Sequence, residues 1–551
     1  MKYFYIVVLA CLFPVVMWAQ GSLLLVGGGS DGKNTWSDGP YGWFVQQAGY
    51  GKIINIDTDE ASSYYPGYFT FLGADASSEP LQIPNKAAAN DSAIFLKLIS
   101  AQGIFIEGGD QWPYVSTWKG TLVEDALHYI FEQGGAIGGT SAGLAVLGEV
   151  VFDARYGSAY PDQTAYNPYH SRISFTDDFL DILPGVLTDS HFHSRIRIGR
   201  LVPMLARRIQ DWGQEDIIGI GVADASALTI DPDGIATAWG RGSVTILYKG
   251  ENSLIDCRSN VPLTFTDMHF DQLVPGVVYN LKSKEVLDPG PYMQAPGDFP
   301  AAGAYYDTTL NGSDPNVVNI GEVVIGRLTD AELNAWNGRL TQSPGMALLP
   351  HTVIIPQIYD GTVYDENRIM GGMWGCATNP HFTAIYLDND CLVEVNADGI
   401  MTVQKLAYVL DTWGASYIGV NGTRTTNYSG IIGAKLHFLG PQRQYDLSNH
   451  QVVTAISNIT PLKPQEFLLY PNYPNPFNHR TAIRFQLDKT QTVKIQLYNA
   501  EGRLLTTLLD GEKKAGFHEI IWDARALSSG VYYYRLSAGT VQQTGKAILL
   551  K

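Results

Sequence analysis

One stretch constrains this chain more than any other: GGAIGGTSAGLAVLGEVV at 134–151. A short apolar strand is predicted to run into Ser141 and a helix to leave it. Gly139 and Thr140 come before the serine, Ala142 and Gly143 after it. Such small neighbours suit a serine on a strained strand-to-helix turn, where the chain must pass close to itself. The Ala142 amide at the helix start would then face any oxyanion formed at the serine. By itself the motif also fits an ordinary glycine-rich loop, and a base is needed to make it more.

The surrounding pattern is α/β. SLLLVG at 22–27, GKIINID at 51–57 and GIFIEGG at 103–109 read as short buried strands, and a helical pattern follows from Ser116 to Gln133. Alternating strands and helices predict a parallel sheet flanked by helices, with function at the carboxyl ends of the strands. Gly27, Gly28 and Gly29 do not fit GxGxxG, so they give little support to a nucleotide site.

A base is available at 182–205, where Asp189, His191, His193, Arg195, Arg197 and Arg200 crowd into twelve positions. Holding so many ionisable groups among apolar neighbours is costly and points to a site. Two simpler readings stay open here. Arg197 and Arg200 fit the exposed face of a helix starting near Ser194, and His191-x-His193 fits half of a metal site that lacks a third ligand nearby. Downstream, Asp224 ends the strand in GIGVADASAL, as a turn residue or as the acid that orients a histidine.

Together, GGDQ at 108–111, GTSAG at 139–143, the D-x-HF-x-x-R-x-R-x-G-R pattern from Asp189 to Arg200, and GIGVADASAL at 219–228 resemble the cyanophycinases. These belong to a serine peptidase family shared with aspartyl dipeptidases. The resemblance covers about residues 22–286 and implies a class I glutamine amidotransferase-like α/β fold with a serine nucleophile elbow. It implies Ser141 as nucleophile, His191 as general base and Asp224 as its orienting acid, with oxyanion amides from Gly109 and Ala142. Gln111, Asp189, Ser190, Arg195, Arg197 and Arg200 would line the substrate pocket. Neither a metal nor an organic cofactor is implied. The implied reaction is hydrolysis of cyanophycin, a polyaspartate carrying arginine on its side chains, to β-Asp-Arg dipeptides through an acyl-enzyme. The family leaves room for an aspartyl dipeptidase or another acyl hydrolase, and the scaffold for a non-catalytic surface binding protein. Two departures bear on this: the family usually carries Gln before the histidine and Glu at the strand end, where this chain has Ser190 and Asp224.

The ends carry addresses. Residues 1–19 read as a signal peptide, with Lys2 ahead of an apolar run too short to span a bilayer and Ala19 as a small residue for cleavage. Residues 466–551 alternate apolar and polar positions (Val493, Ile495, Leu497) between turns, which predicts an all-β sandwich. Its YPNPFN at 473–478, Gly530-Val531-Tyr532 and terminal Lys551 resemble the C-terminal sorting domain of type IX secretion, implying export machinery as a partner and a secreted or surface-attached product. Lys and Arg number 37 against 54 Asp and Glu, a net charge of −17 with no dense basic run, so a nucleic-acid partner is not expected. Beyond Cys11, the odd set of Cys257, Cys376 and Cys391 allows one bridge at most. Association into a homodimer is left open.

The domain plan is thus a signal peptide at 1–19, the hydrolytic domain at 20–289, a further segment at 290–455 and the sorting domain at 466–551. That third segment echoes the hydrolytic domain. GEVV recurs at 321–324, Pro184-Gly185 with His191 as Pro344-Gly345 with His351, DPDGI at 231–235 as NADGI at 396–400, and MHF at 268–270 as LHF at 436–438. The serine's counterpart is Asp314. A degenerate, non-catalytic half-repeat and an unrelated β-rich insert both fit these echoes.

Overall fold

The computed structural model describes residues 21–290 and most of 320–453 and 468–551. The expected signal peptide and Asp314 lie outside the described residues.

The first sheet has nine strands. Its parallel part runs Ser22–Val26, Ala136–Thr140, Gly103–Ile106, Ile53–Asp57, Glu79–Gln82, and antiparallel strands from Ser226–Ile230 to Glu285–Asp288 extend it past Ser22–Val26. The central parallel strands are buried along their length, as apolar runs without alternation require when helices cover both faces. Asp38–Gln47 packs on one face through Tyr41, Phe44 and Val45. Leu122–Glu132 packs on the other through Val123, Ala126, Leu127, Ile130 and Phe131, the i, i+3, i+4 stripe of an amphipathic helix. The continuous helix expected from Ser116 to Gln133 is broken in two, because Gly120 takes φ +68° between Gln111–Trp118 and Leu122–Glu132.

The second sheet has fourteen strands and joins the two halves of the chain. From one end its path is Phe175–Thr176, Gly148–Phe152, Leu183–Asp189, Ile218–Val222, Val244–Lys249 and Thr264–Leu273. It then crosses to Asn427–Leu439, Ala407–Asp411, Thr383–Leu387, Leu349–Ile355, Gly321–Gly326 and Thr341–Pro344. Each half has the same succession of pairings outward from the crossing: antiparallel, antiparallel, parallel, parallel, antiparallel.

Local detail repeats as well. The register slips between Gly148 and Val150 and again between Gly321 and Val323. Glu149 accepts the Gly185 amide at 2.5 Å, and Glu322 accepts the His351 amide at 2.7 Å. Gly185 and His351 both have positive φ, +70° and +55°. His351 therefore stands opposite Gly185 and not opposite His191; the strand LPGVLTD aligns with LPHTVII, which corrects the Pro-Gly…His echo. Asp231 and Asn396 close identical turns, accepting the amides of Ile235 and Ile400 at 2.8 and 2.9 Å.

Residues 468–551 form a three-stranded and a four-stranded sheet around a core of Phe477, Phe485, Trp522, Tyr534 and Leu549, the expected β-sandwich. Cys257, Cys376 and Cys391 are all free thiols, the first two buried in the large core cluster, so no bridge links them.

Candidate active site

The site lies where the two sheets meet. From the first comes Ala136–Thr140, which ends at Ser141, itself the N-cap of the one-turn helix Ala142–Ala145. Ser141 has φ +53° and ψ −110°, a conformation that a side chain adopts only under strain. The turn closes because a Cβ on Gly139 would fall 2.3 Å from the Gly143 carbonyl oxygen, so neither strand nor helix could approach as it does with larger residues.

From the second sheet come the other two groups, each just beyond a strand's carboxyl end: His191 after Leu183–Asp189, and Asp224 after Ile218–Val222. The His191 amide donates to the Gly27 carbonyl at 2.8 Å, which ties the sheets together at the site. Ser141 Oγ lies 2.8 Å from His191 Nε2, and His191 Nδ1 lies 2.5 Å from Asp224 Oδ1. Asp224 Oδ2 accepts a further hydrogen bond from the Ser194 hydroxyl. Burial alone would raise the Asp224 carboxyl, but the His191 hydrogen bond and charge, the Ser194 donor and Arg195 outweigh it and hold the carboxyl below its usual value.

The glycine run has a structural use that the sequence concealed. Gly28, at φ +106°, lies against the imidazole, and a Cβ there would fall 2.3 Å from His191 Cε1. The sequence reading named Ser194 only as a helix start and Gly28 only within a glycine run, and missed the place of both beside His191 and Asp224. A strand ending in consecutive glycines beside a nucleophile turn is the signal that could have found the second.

Gly108, which precedes Gly109, lies beside the serine: a Cβ there would sit 3.4 Å from Ser141 Cβ. Gly109 is exposed, and Gln111 opens the Gln111–Trp118 helix, half-buried, behind its Asp110 cap. Arg195 is half-buried, close enough to act on the Asp224 charge.

Four of the presumed pocket residues are elsewhere. Asp189 and Arg200 are 3% and 2% exposed, with Arg200 donating to both Asp189 oxygens at 2.7 and 2.6 Å. Arg197 donates to Asp189 at 3.0 Å and to Ser190 Oγ at 3.1 Å, and Ser190 is buried with it. Burial would raise Asp189, yet the two guanidinium groups beside it bring it below the usual carboxylate value. Asp189, Ser190, Arg197 and Arg200 therefore form an interior lattice beside His191, in which one carboxylate holds both guanidinium groups. Nor do Arg197 and Arg200 lie on an exposed helix face. His193 is buried, its Nε2 3.3 Å from Thr245 Oγ1, and burial pushes its pKa down to about 3. The two rings of His191-x-His193 thus face different partners.

A mixed α/β sheet with a serine on a strand-to-helix elbow, in line with a histidine and a carboxylate, is the arrangement of the serine hydrolases, serine-type peptidases among them. Within that class the chain carries a domain of peptidase family S51, matched over residues 69–237, and a secretion system C-terminal sorting domain, matched over 472–550. A cyanophycinase from Synechococcus elongatus is 29% identical over 254 residues, which span 44% of this chain and 74% of that protein. One from Trichormus variabilis is 29% identical over 227 residues, 40% of this chain and 71% of that protein. Among solved structures, a peptidase from an acI-B1 Actinobacterium aligns at 17% identity and TM-score 0.33, over 48% of this chain and 98% of that one. The sorting domain marks the protein for type IX export, to the cell surface or the medium.

Proposed function

We propose that this exported peptidase hydrolyses cyanophycin to β-Asp-Arg dipeptides, with Ser141 as nucleophile, His191 as general base and Asp224 as its orienting acid. The observation that carries the reading is the unbroken hydrogen-bonded line from Ser141 Oγ through the His191 ring to Asp224, at 2.8 and 2.5 Å. His191 Nε2 takes the Ser141 proton as Oγ attacks the scissile carbonyl carbon, and the amides of Gly109 and Ala142 receive the oxyanion. The tetrahedral intermediate collapses, the C–N bond breaks, and the imidazolium gives its proton to the departing amine. Water, deprotonated by the same ring, then attacks the acyl-enzyme and frees the serine. Gln111 and Arg195 are the candidate substrate contacts that stay at the surface of the site, and a guanidinium at Arg195 suits an aspartyl carboxylate.

The enclosure of Asp189, Ser190, Arg197 and Arg200 favours a second reading, an aspartyl dipeptidase or other acyl hydrolase, because it leaves few groups to grip a polymer carrying a cation on every residue. Incubation of the mature protein and its Ser141→Ala variant with insoluble cyanophycin decides between them. Dipeptide in the supernatant from the parent alone supports the first reading. Labelling of Ser141 by a fluorophosphonate without dipeptide release supports the second, and no labelling removes both.

A further inference from the structure

The two halves of the fourteen-stranded sheet meet at Thr264–Leu273 and Asn427–Leu439, strands that carry the matching triplets MHF and LHF. Met268 pairs with Leu436, its own counterpart. To either side the pairing is reciprocal: His269 stands opposite Lys435, while the amide of Asp267, the counterpart of Lys435, donates to the ring of His437, the counterpart of His269, at 3.1 Å. Reciprocal contacts about one self-paired position are the signature of a two-fold, isologous interface between two copies of one surface.

Contacts further out also cross between the halves. Pro161–Tyr166 and Ala331–Trp336 are matching six-residue helices, each ending in a large aromatic. Tyr166 reaches across to the second half and donates to Asp388 Oδ2, just past the Thr383–Leu387 strand, at 2.8 Å. Trp336 reaches back to the first half, against Gly242 just ahead of the Val244–Lys249 strand. A Cβ on Gly242 would fall 2.4 Å from Trp336 Cζ2 and 2.8 Å from Ser226 Oγ. The Gly242 amide donates to Ser226 Oγ at 2.9 Å, and that hydroxyl donates to the Asp224 carbonyl at 3.2 Å. Tyr359 makes a second crossing contact, its hydroxyl against Gly199 in the helix that carries Arg200.

We propose that residues 320–453 act as a covalently attached second subunit, a half-repeat that occupies the Thr264–Leu273 edge in place of another chain and supplies Trp336 as a positioning residue for Asp224. The positioning role rests on the serine-hydrolase reading above, whereas the subunit role rests on the sheet alone. Because the edge strand is filled from within, the mature chain works alone, and its one nucleophile, Ser141, depends on a copy that need not carry one.

Two measurements on the mature full chain test this. Light scattering is expected to give the mass of one chain; the mass of two overturns the subunit role. Trp336→Ala is expected to slow fluorophosphonate labelling of Ser141 by at least about tenfold with little change in the reagent's apparent binding constant, and Trp336→Phe to restore most of the rate. A Trp336→Ala protein with the parent's circular dichroism and the parent's labelling rate overturns the positioning role. A parent that takes no label removes the serine reading and the positioning role with it, and the mass then decides the subunit role by itself.

Discussion

Gly28→Ala isolates what the site demands of the backbone beneath it. The added methyl falls 2.3 Å from His191 Cε1, where ordinary contact begins at 3.4 Å, so the ring must retreat by about 1 Å or the strand end must give. Retreat is the easier response, because the Gly27 carbonyl is pinned by the His191 amide and the Gly28 carbonyl by the Ala225 amide. A 1 Å displacement of the base from Ser141 Oγ, now 2.8 Å away, costs about a hundredfold in rate. At φ +106° the alanine also costs the fold about 1–2 kcal/mol, which lowers the melting point by a few degrees without unfolding the protein. The assay is the rate of fluorophosphonate incorporation at Ser141, beside a thermal melt. A Gly28→Ala protein that labels at the parent rate would refute the claim that this glycine exists to seat the imidazole.

Other consequences follow from the same contacts. Asp224→Asn leaves the shape intact but removes the charge that fixes the His191 tautomer, and labelling is expected to fall by about 10³–10⁴. Arg200→Met strips Asp189 of its two-oxygen partner in the interior, and denaturant unfolding should register a loss of about 3–5 kcal/mol. Acid stability is set in part by two buried groups. His193 stays neutral in the fold down to about pH 3 while the unfolded chain takes up its proton near 6.5, so each pH unit lost between those values costs about 1.4 kcal/mol, and His193→Gln should flatten that slope. Asp189, held below its usual value, contributes stability above about pH 4 that fades as pH falls through its folded value; Asp189→Asn should lack this acid-side loss in urea titrations.

The sequence by itself determined the elements whose rules are local. Five buried residues of Ala136–Thr140 running into Ser141, the alternation of Gln491–Tyr498 and the stripe of Leu122–Glu132 are written in neighbouring residues, since strand and helix periods and small-residue turns act over a few positions. Ser141 and Asp224 stood out for the same reason, each at the end of a predicted strand, whereas His191 was marked by the crowd of ionisable groups around it. Tertiary structure alone decided which charges face outward. Asp189, Arg195, Arg197 and Arg200 stand together in the sequence, yet Asp189, Arg197 and Arg200 close on one another in the interior while Arg195, half-buried, acts on Asp224, because an ion pair is settled by distances between a strand end and a helix turn. Tertiary structure likewise decided that Gly28 seats a ring fetched from another sheet, and that the strands of 320–453 join those of the first half along one edge. Strand pairing between residues some 168 positions apart depends on which edges remain open once each half has folded, and no window of sequence contains that.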